Sequence, residues 1–241
     1  MKKTILSLAT VICAAAIPSA AFAQLAFNAG AVTDYRYRGI SQTRLKPALQ
    51  AGVDYAAGPF YVGVWASSIK WIKDAGGDAP AEIDLYGGYK GDIVKDSLSY
   101  DVGVLTYQYP GHKLAVSPVT TEVYGALTFG PATVKYSHSL TNLFGFSDSK
   151  NSGYLDATAS FDVGGGVMLA PHIGYQKVSG NSDFSYTDFS LGVSKDFSGL
   201  VVSATAVYAD VKKIGGAPAY VSPKGKNLGK TGVVLGLKYN F

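Results

Sequence analysis

Glu82 and Asp84 stand two residues apart, a spacing that sets both carboxylates on one face of an extended strand. Such a pair could serve glycosidic acid–base chemistry, and it could equally line a polar cavity. His112, His138 and His172 are the only histidines, 26 and 34 residues apart, which is no metal-ligand pattern. The run Gly225-Lys226-Asn227-Leu228-Gly229-Lys230-Thr231 looks like a phosphate-binding loop. It is one residue short between its glycines, and it leads into a strand rather than a helix. A hydrolase needs a nucleophile beside a base, and no serine is obviously partnered with any of the three histidines. No catalytic residue, cofactor or metal is therefore expected.

The elements that carry these residues are strands. From Phe27 onward, Phe27, Ala29, Ala31, Thr33, Tyr35 and Tyr37 fall on one face, with Asn28, Gly30, Val32, Asp34, Arg36 and Arg38 on the other. A period of two is a strand. The pattern recurs between turn signals such as Ala57-Gly58-Pro59, Gly130-Pro131, Gly164-Gly165-Gly166 and Ser198-Gly199. It predicts twelve strands, near 26–38, 47–57, 60–68, 81–90, 98–109, 119–129, 132–140, 153–161, 167–177, 184–195, 200–210 and 230–241. Tight connections near 58, 93, 130, 164 and 197 alternate with longer ones near 42, 74, 114, 146, 180 and 220. Even strand number and alternating loop length predict an all-β, up-and-down transmembrane barrel. In hydrocarbon a sheet must close on itself to pair its backbone, and its lipid face must be apolar. Val62, Val64, Ala66, Ile83, Leu85, Val202, Ala204, Val233, Leu235 and Leu237 meet that demand. Outward aromatics gather at the strand ends. Phe27, Tyr55, Phe60, Tyr89, Tyr100, Phe129, Phe161, Tyr239 and Phe241 lie at the short-turn end, with Tyr35, Tyr37, Tyr175 and Tyr208 at the other, as interfacial girdles do. Tyr239 and the terminal Phe241 resemble the signal read by outer-membrane assembly machinery.

Composition agrees. The chain has 241 residues, 29 of them glycine and 17 tyrosine, with 16% charged residues and one cysteine. Mean hydropathy is only +0.14, and no apolar run is long enough for a helical span. The start is different. Lys2 and Lys3 precede an apolar stretch from Ile5 to Ile17, and Ala21-Phe22-Ala23 offers a small-x-small cleavage site, so 1–23 reads as a secretory signal peptide and 24–241 as the exported barrel. Cleavage removes the lone Cys13 and two lysines, taking the net charge from +4 to +2, which gives no support for a nucleic-acid partner. The expected location is a bacterial outer membrane.

Asp34-Tyr35-Arg36-Tyr37-Arg38-Gly39-Ile40-Ser41-Gln42-Thr43, Pro47–Tyr55, Phe60–Ser67 and Glu82–Tyr89 follow in an order that resembles the TorF-type porins of proteobacteria. The resemblance covers the whole exported chain, most specifically between Asp34 and Tyr89. It implies an outer-membrane barrel of porin type, and it brings no catalytic residues and no settled substrate.

Threading the strands up and down places the inward charges by height. Near the outer mouth lie Arg36, Arg38, Glu82, Asp84, Glu122, Asp156 and Asp188, with Asp34 slightly deeper. Toward the periplasm lie Asp54, Lys90, Asp101, Lys135 and Lys238. The upper acids would favour cations, or the charges would simply pair across neighbouring strands. Inward aromatics, among them Tyr61, Trp65, Tyr86, Tyr107, Tyr109, Tyr124, Tyr154 and Tyr186, form either a stacking track for ring-bearing solutes or filler in a narrow bore. Basic outer loops, with Lys70, Lys113, Lys212, Lys213, Lys224 and Lys226 among them, suit lipopolysaccharide phosphates or plain solvation. The expected function is passive diffusion of small hydrophilic solutes or ions, mildly cation-selective. A closed structural or adhesive barrel, and less so an outer-membrane hydrolase, stand as alternatives.

Overall fold

The computed structural model describes residues 24–241; the signal-peptide reading of 1–23 lies outside the described residues. Twelve long strands form the body: β1 Gln24–Val32, β2 Ala48–Ala57, β3 Phe60–Ser68, β4 Ala81–Val94, β5 Leu98–Gln108, β6 Thr120–Phe129, β7 Ala132–Ser139, β8 Gly153–Ala159, β9 Val167–Lys177, β10 Tyr186–Phe197, β11 Leu200–Asp210 and β12 Gly232–Asn240. Each pairs antiparallel with its neighbour in sequence, and β1 pairs with β12 through Ala29↔Tyr239 and Ala31↔Leu237. The ring is closed, so no edge is left to pair with another chain.

Pleating sorts the side chains. Leu49, Val62, Phe129, Val233 and Leu235 are among the large apolar residues more than half exposed on the outer face. Their neighbours along each strand point inward. Gly130 and Gly199 sit in tight connections with φ of 55° and 101°, conformations that suit a residue without Cβ. Tyr55, Phe60, Tyr89, Phe129, Phe161, Tyr239 and Phe241 are exposed at the short-turn end, and Tyr175 and Tyr208 at the other.

The first predicted strand is corrected. It stops at Val32 rather than reaching Arg38. Beyond it, Arg36–Tyr37 pairs with Ile40–Ser41 as a small hairpin that turns into the barrel. Arg38 and Gly39 at its tip have φ of 45° and 78°, the left-handed pair that a two-residue hairpin turn requires. Consequently Tyr35, expected in the outer girdle, is 2% exposed, and Tyr37 packs inside against Tyr107 and Phe144. The alternation is genuine in both stretches; a period of two does not distinguish a membrane strand from a hairpin folded within the lumen.

Candidate functional site

The inward hairpin organises the outer half of the lumen. Asp34 accepts from Ser41 Oγ and from Arg36 Nε, both at 2.5 Å. Arg36 also donates to the backbone carbonyls of Gly39 and Leu228 at 2.9 Å and of Lys230 at 3.2 Å. Its donors therefore tie the hairpin to the 211–231 loop. Arg38 reaches across the barrel instead. Its Nη2 donates to Glu122 Oε2 at 2.7 Å, and its Nη1 to Glu122 Oε1 at 3.1 Å and Gln176 Oε1 at 2.7 Å. The guanidinium lies 4.2 Å from the Tyr154 ring centroid and 4.8 Å from that of Tyr37. Glu122 belongs to β6 and Gln176 to β9, so one arginine from the β1–β2 connection bridges two distant walls. Bidentate pairing with a carboxylate fixes direction as well as energy.

Tyrosines satisfy most of the remaining acids. Tyr35 and Tyr109 donate to the two oxygens of Glu82, at 2.5 and 2.7 Å. Tyr107 donates to Glu122 at 3.1 Å and shares a short contact with the Tyr37 hydroxyl. Tyr154 donates to Asp188 at 2.9 Å and meets His172 Nε2 at 3.1 Å. His172 stands 3.5 Å from Asp156 and 3.6 Å from Asp188. Among the described residues, Asp84 Oδ1 and Asp156 Oδ1 are buried without a hydrogen-bond donor. With Arg36 beside Asp34 and Arg38 beside Glu122, the carboxylates of Glu82, Asp84, Asp156 and Asp188 have no arginine partner.

The other half is more open. Asp54, Lys90, Asp101, Lys135 and Lys238 keep partial solvent exposure, whereas Asp34, Arg36, Glu82, Asp84, Glu122, Asp156 and Asp188 are buried. Tyr61 donates to Asp101 at 2.6 Å and contacts the Tyr124 hydroxyl, and Tyr86 donates to Asp54 at 2.5 Å. Lys135 Nζ lies 3.9 Å from the Tyr124 ring centroid. At the outer rim, Lys113 and Lys73 hold the Asp78 carboxyl below its ordinary range and tie the 69–80 and 109–119 loops together.

The lumen aromatics lean on glycines of the adjoining strand. A Cβ at Gly63 would sit 2.3 Å from the Tyr86 ring, one at Gly88 2.4 Å from the Tyr61 hydroxyl, and one at Gly103 2.5 Å from the Tyr124 hydroxyl. At Gly174 it would sit 1.9 Å from the Tyr154 hydroxyl. The rings thus lie along the wall over a missing side chain. Trp65 packs edge-on against Tyr35, and Tyr186 against Tyr220. A Gly174→Val substitution should push Tyr154 off Asp188 and His172, lowering stability by about 1–3 kcal/mol as overpacking does. The urea midpoint of the purified barrel in detergent checks this.

Parity of position indicated which face each charge occupies. It did not indicate Gln176, nor the inward turn of Tyr35 and Tyr37; the Arg38-Gly39 pair was the available signal for that turn. His138 lies on the outer face near Tyr136 and Asn151, while among the described residues no serine hydroxyl bonds a histidine. Among the described residues no three His, Cys, Asp or Glu side chains are arranged to hold a metal ion.

A closed, twelve-stranded antiparallel barrel with an apolar outside and a charged inside is the architecture of a porin. Two solved porins share it. The KdgM porin, solved in complex with disordered oligogalacturonate, matches with a TM-score of 0.58 at 6% identity over 91% of this chain and 99% of its own. The NanC porin matches with a TM-score of 0.55 at 10% identity, over 90% and 99%. At that identity the likeness is one of fold. No curated protein matches the sequence. The chain belongs to the Gcw_chp family, described as bacterial proteins of unknown function, whose model matches residues 15–241.

Proposed function

We propose that the chain is a channel of the bacterial outer membrane, passing small hydrophilic solutes or ions by diffusion, with the 33–47 segment as its constriction. The observation that carries this reading is the division of faces. Charged, amide and hydroxyl groups occupy inward positions in both halves of the barrel, while large apolar residues cover the outside. Such an interior is costly to build unless water or solute uses it. The TorF-type resemblance, the leader-like start and the terminal Tyr239 and Phe241 support export, assembly into that membrane and contact with its lipid and lipopolysaccharide.

The acids of the constriction set its preference. Glu82, Asp84, Asp156 and Asp188 outnumber the nearby His172 and Lys135, so the outer lumen favours cations. An anionic polymer such as oligogalacturonate suits this interior poorly. Reversal potentials across a planar bilayer under a potassium chloride gradient should show cation preference at neutral pH. Anion preference would refute it. Stepwise current increments on adding purified protein to the bilayer test conduction itself, and their absence would favour the closed structural barrel.

A further inference from the structure

The outer connections and the inward hairpin form a partly open cavity of ≈ 110 Å³. Six aromatic rings line it: Tyr37, Trp71, Tyr109, Phe144, Tyr186 and Tyr220. They brace one another edge-on. Trp71 and Tyr109 have centroids 5.1 Å apart, Tyr37 and Phe144 5.6 Å, and Tyr186 and Tyr220 5.3 Å. The walls come from several separate connections, so the cavity is a product of the assembled mouth and not of one loop.

Its polar groups are mostly spoken for. Glu82 accepts from Tyr35 and Tyr109, Ser41 Oγ donates to Asp34, and Tyr220 donates to the Phe184 carbonyl. Gln176 spends its amide on Gly153 and Lys177 and its carbonyl on Arg38. Among the described residues, what remains are the Gln42 side-chain carbonyl, the Tyr186 hydroxyl and the Trp71 indole N–H, the last buried with no partner. An unmade bond at a buried donor is costly, and a ligand acceptor would supply it.

We propose that this cavity binds a neutral, single-ring aromatic solute bearing one hydroxyl or carbonyl group. The volume is below the about 150 Å³ of a closed apolar cavity that takes benzene, and the open side leaves room for the substituent of a single ring. Ring-lined walls favour edge and offset contacts with another π-system. A pyranose would bring several hydroxyls to three free polar groups and leave the others unpaired. A carboxylated ring would meet the Glu82 charge, and because Glu82 is already satisfied by two phenols, a cation has no vacant acceptor there.

The test reads binding in detergent without conduction, so its failure and that of the channel reading are separate results. The chain has two tryptophans, and Trp65→Phe leaves Trp71 as the single reporter. Benzyl alcohol should change Trp71 emission saturably, and Phe144→Ala should weaken that binding about tenfold. Benzoate and glucose should give no saturable change. Saturation-transfer NMR on the unsubstituted protein reads the same comparison if Trp65→Phe perturbs the barrel. A non-saturating response unchanged by Phe144→Ala would be partition into detergent and would overturn the site. Equal or tighter binding of benzoate or glucose would overturn the ligand class.

Discussion

Excising the inward hairpin is expected to raise single-channel conductance by about threefold or more. Val32 and Ala48 are register partners at the mouth, so a short turn can replace 34–46 without disturbing β1 or β2. The excised stretch contains Tyr35, Arg36, Tyr37 and Arg38, which together fill the outer lumen and bridge it to β4, β6 and β9. Its removal admits water to Glu82, Asp84, Glu122, Asp156 and Asp188 while deleting Arg36, Arg38, Arg44 and Lys46 against the single acid Asp34. Cation preference should therefore sharpen along with the larger current. Unchanged conductance would mean that the hairpin is not the constriction.

Arg38→Met should destabilise the barrel by about 3–5 kcal/mol, the range seen when one partner of a buried ion pair is removed. Glu122 is 1% exposed and, among the described residues, would be left with only the Tyr107 hydroxyl as a hydrogen-bond partner. Adding Glu122→Gln removes that charge, so the double variant should recover most of the lost stability. Urea midpoints in detergent, compared as a double-mutant cycle, give the coupling directly. A double variant as unstable as Arg38→Met would place the effect in packing rather than charge.

Much of the barrel was legible from alternation alone. The predicted bounds 60–68, 167–177 and 200–210 match β3, β9 and β11, because glycine and polar turn residues flank clean period-two runs. The stretch from Thr33 to Arg38 misled for a physical reason. A hairpin packed inside a barrel has the same two-faced pattern as a strand in its wall, and only the Arg38-Gly39 turn marks the difference. For the site, parity placed Glu82, Asp84, Glu122, Asp156 and Asp188 on one face of their strands, but it carries no information on partners. Arg38 and Glu122 are 84 residues apart and meet because a long side chain spans the bore. The glycine seats under Tyr61, Tyr86, Tyr124 and Tyr154 were likewise hidden, since they depend on which strands adjoin and in what register.

A channel of this kind requires inward positions to face a water-filled conduit and their neighbours along the strand to face lipid. Ala126 points inward between Asp101 and Lys135, and Leu127 beside it is 50% exposed on the outside. The decisive measurement is single-channel current from Ala126→Cys and Leu127→Cys during exposure to a charged, membrane-impermeant methanethiosulfonate reagent. A discrete drop in current is expected for Ala126→Cys and none for Leu127→Cys. A response at Leu127→Cys with none at Ala126→Cys, or no current from either, would contradict it.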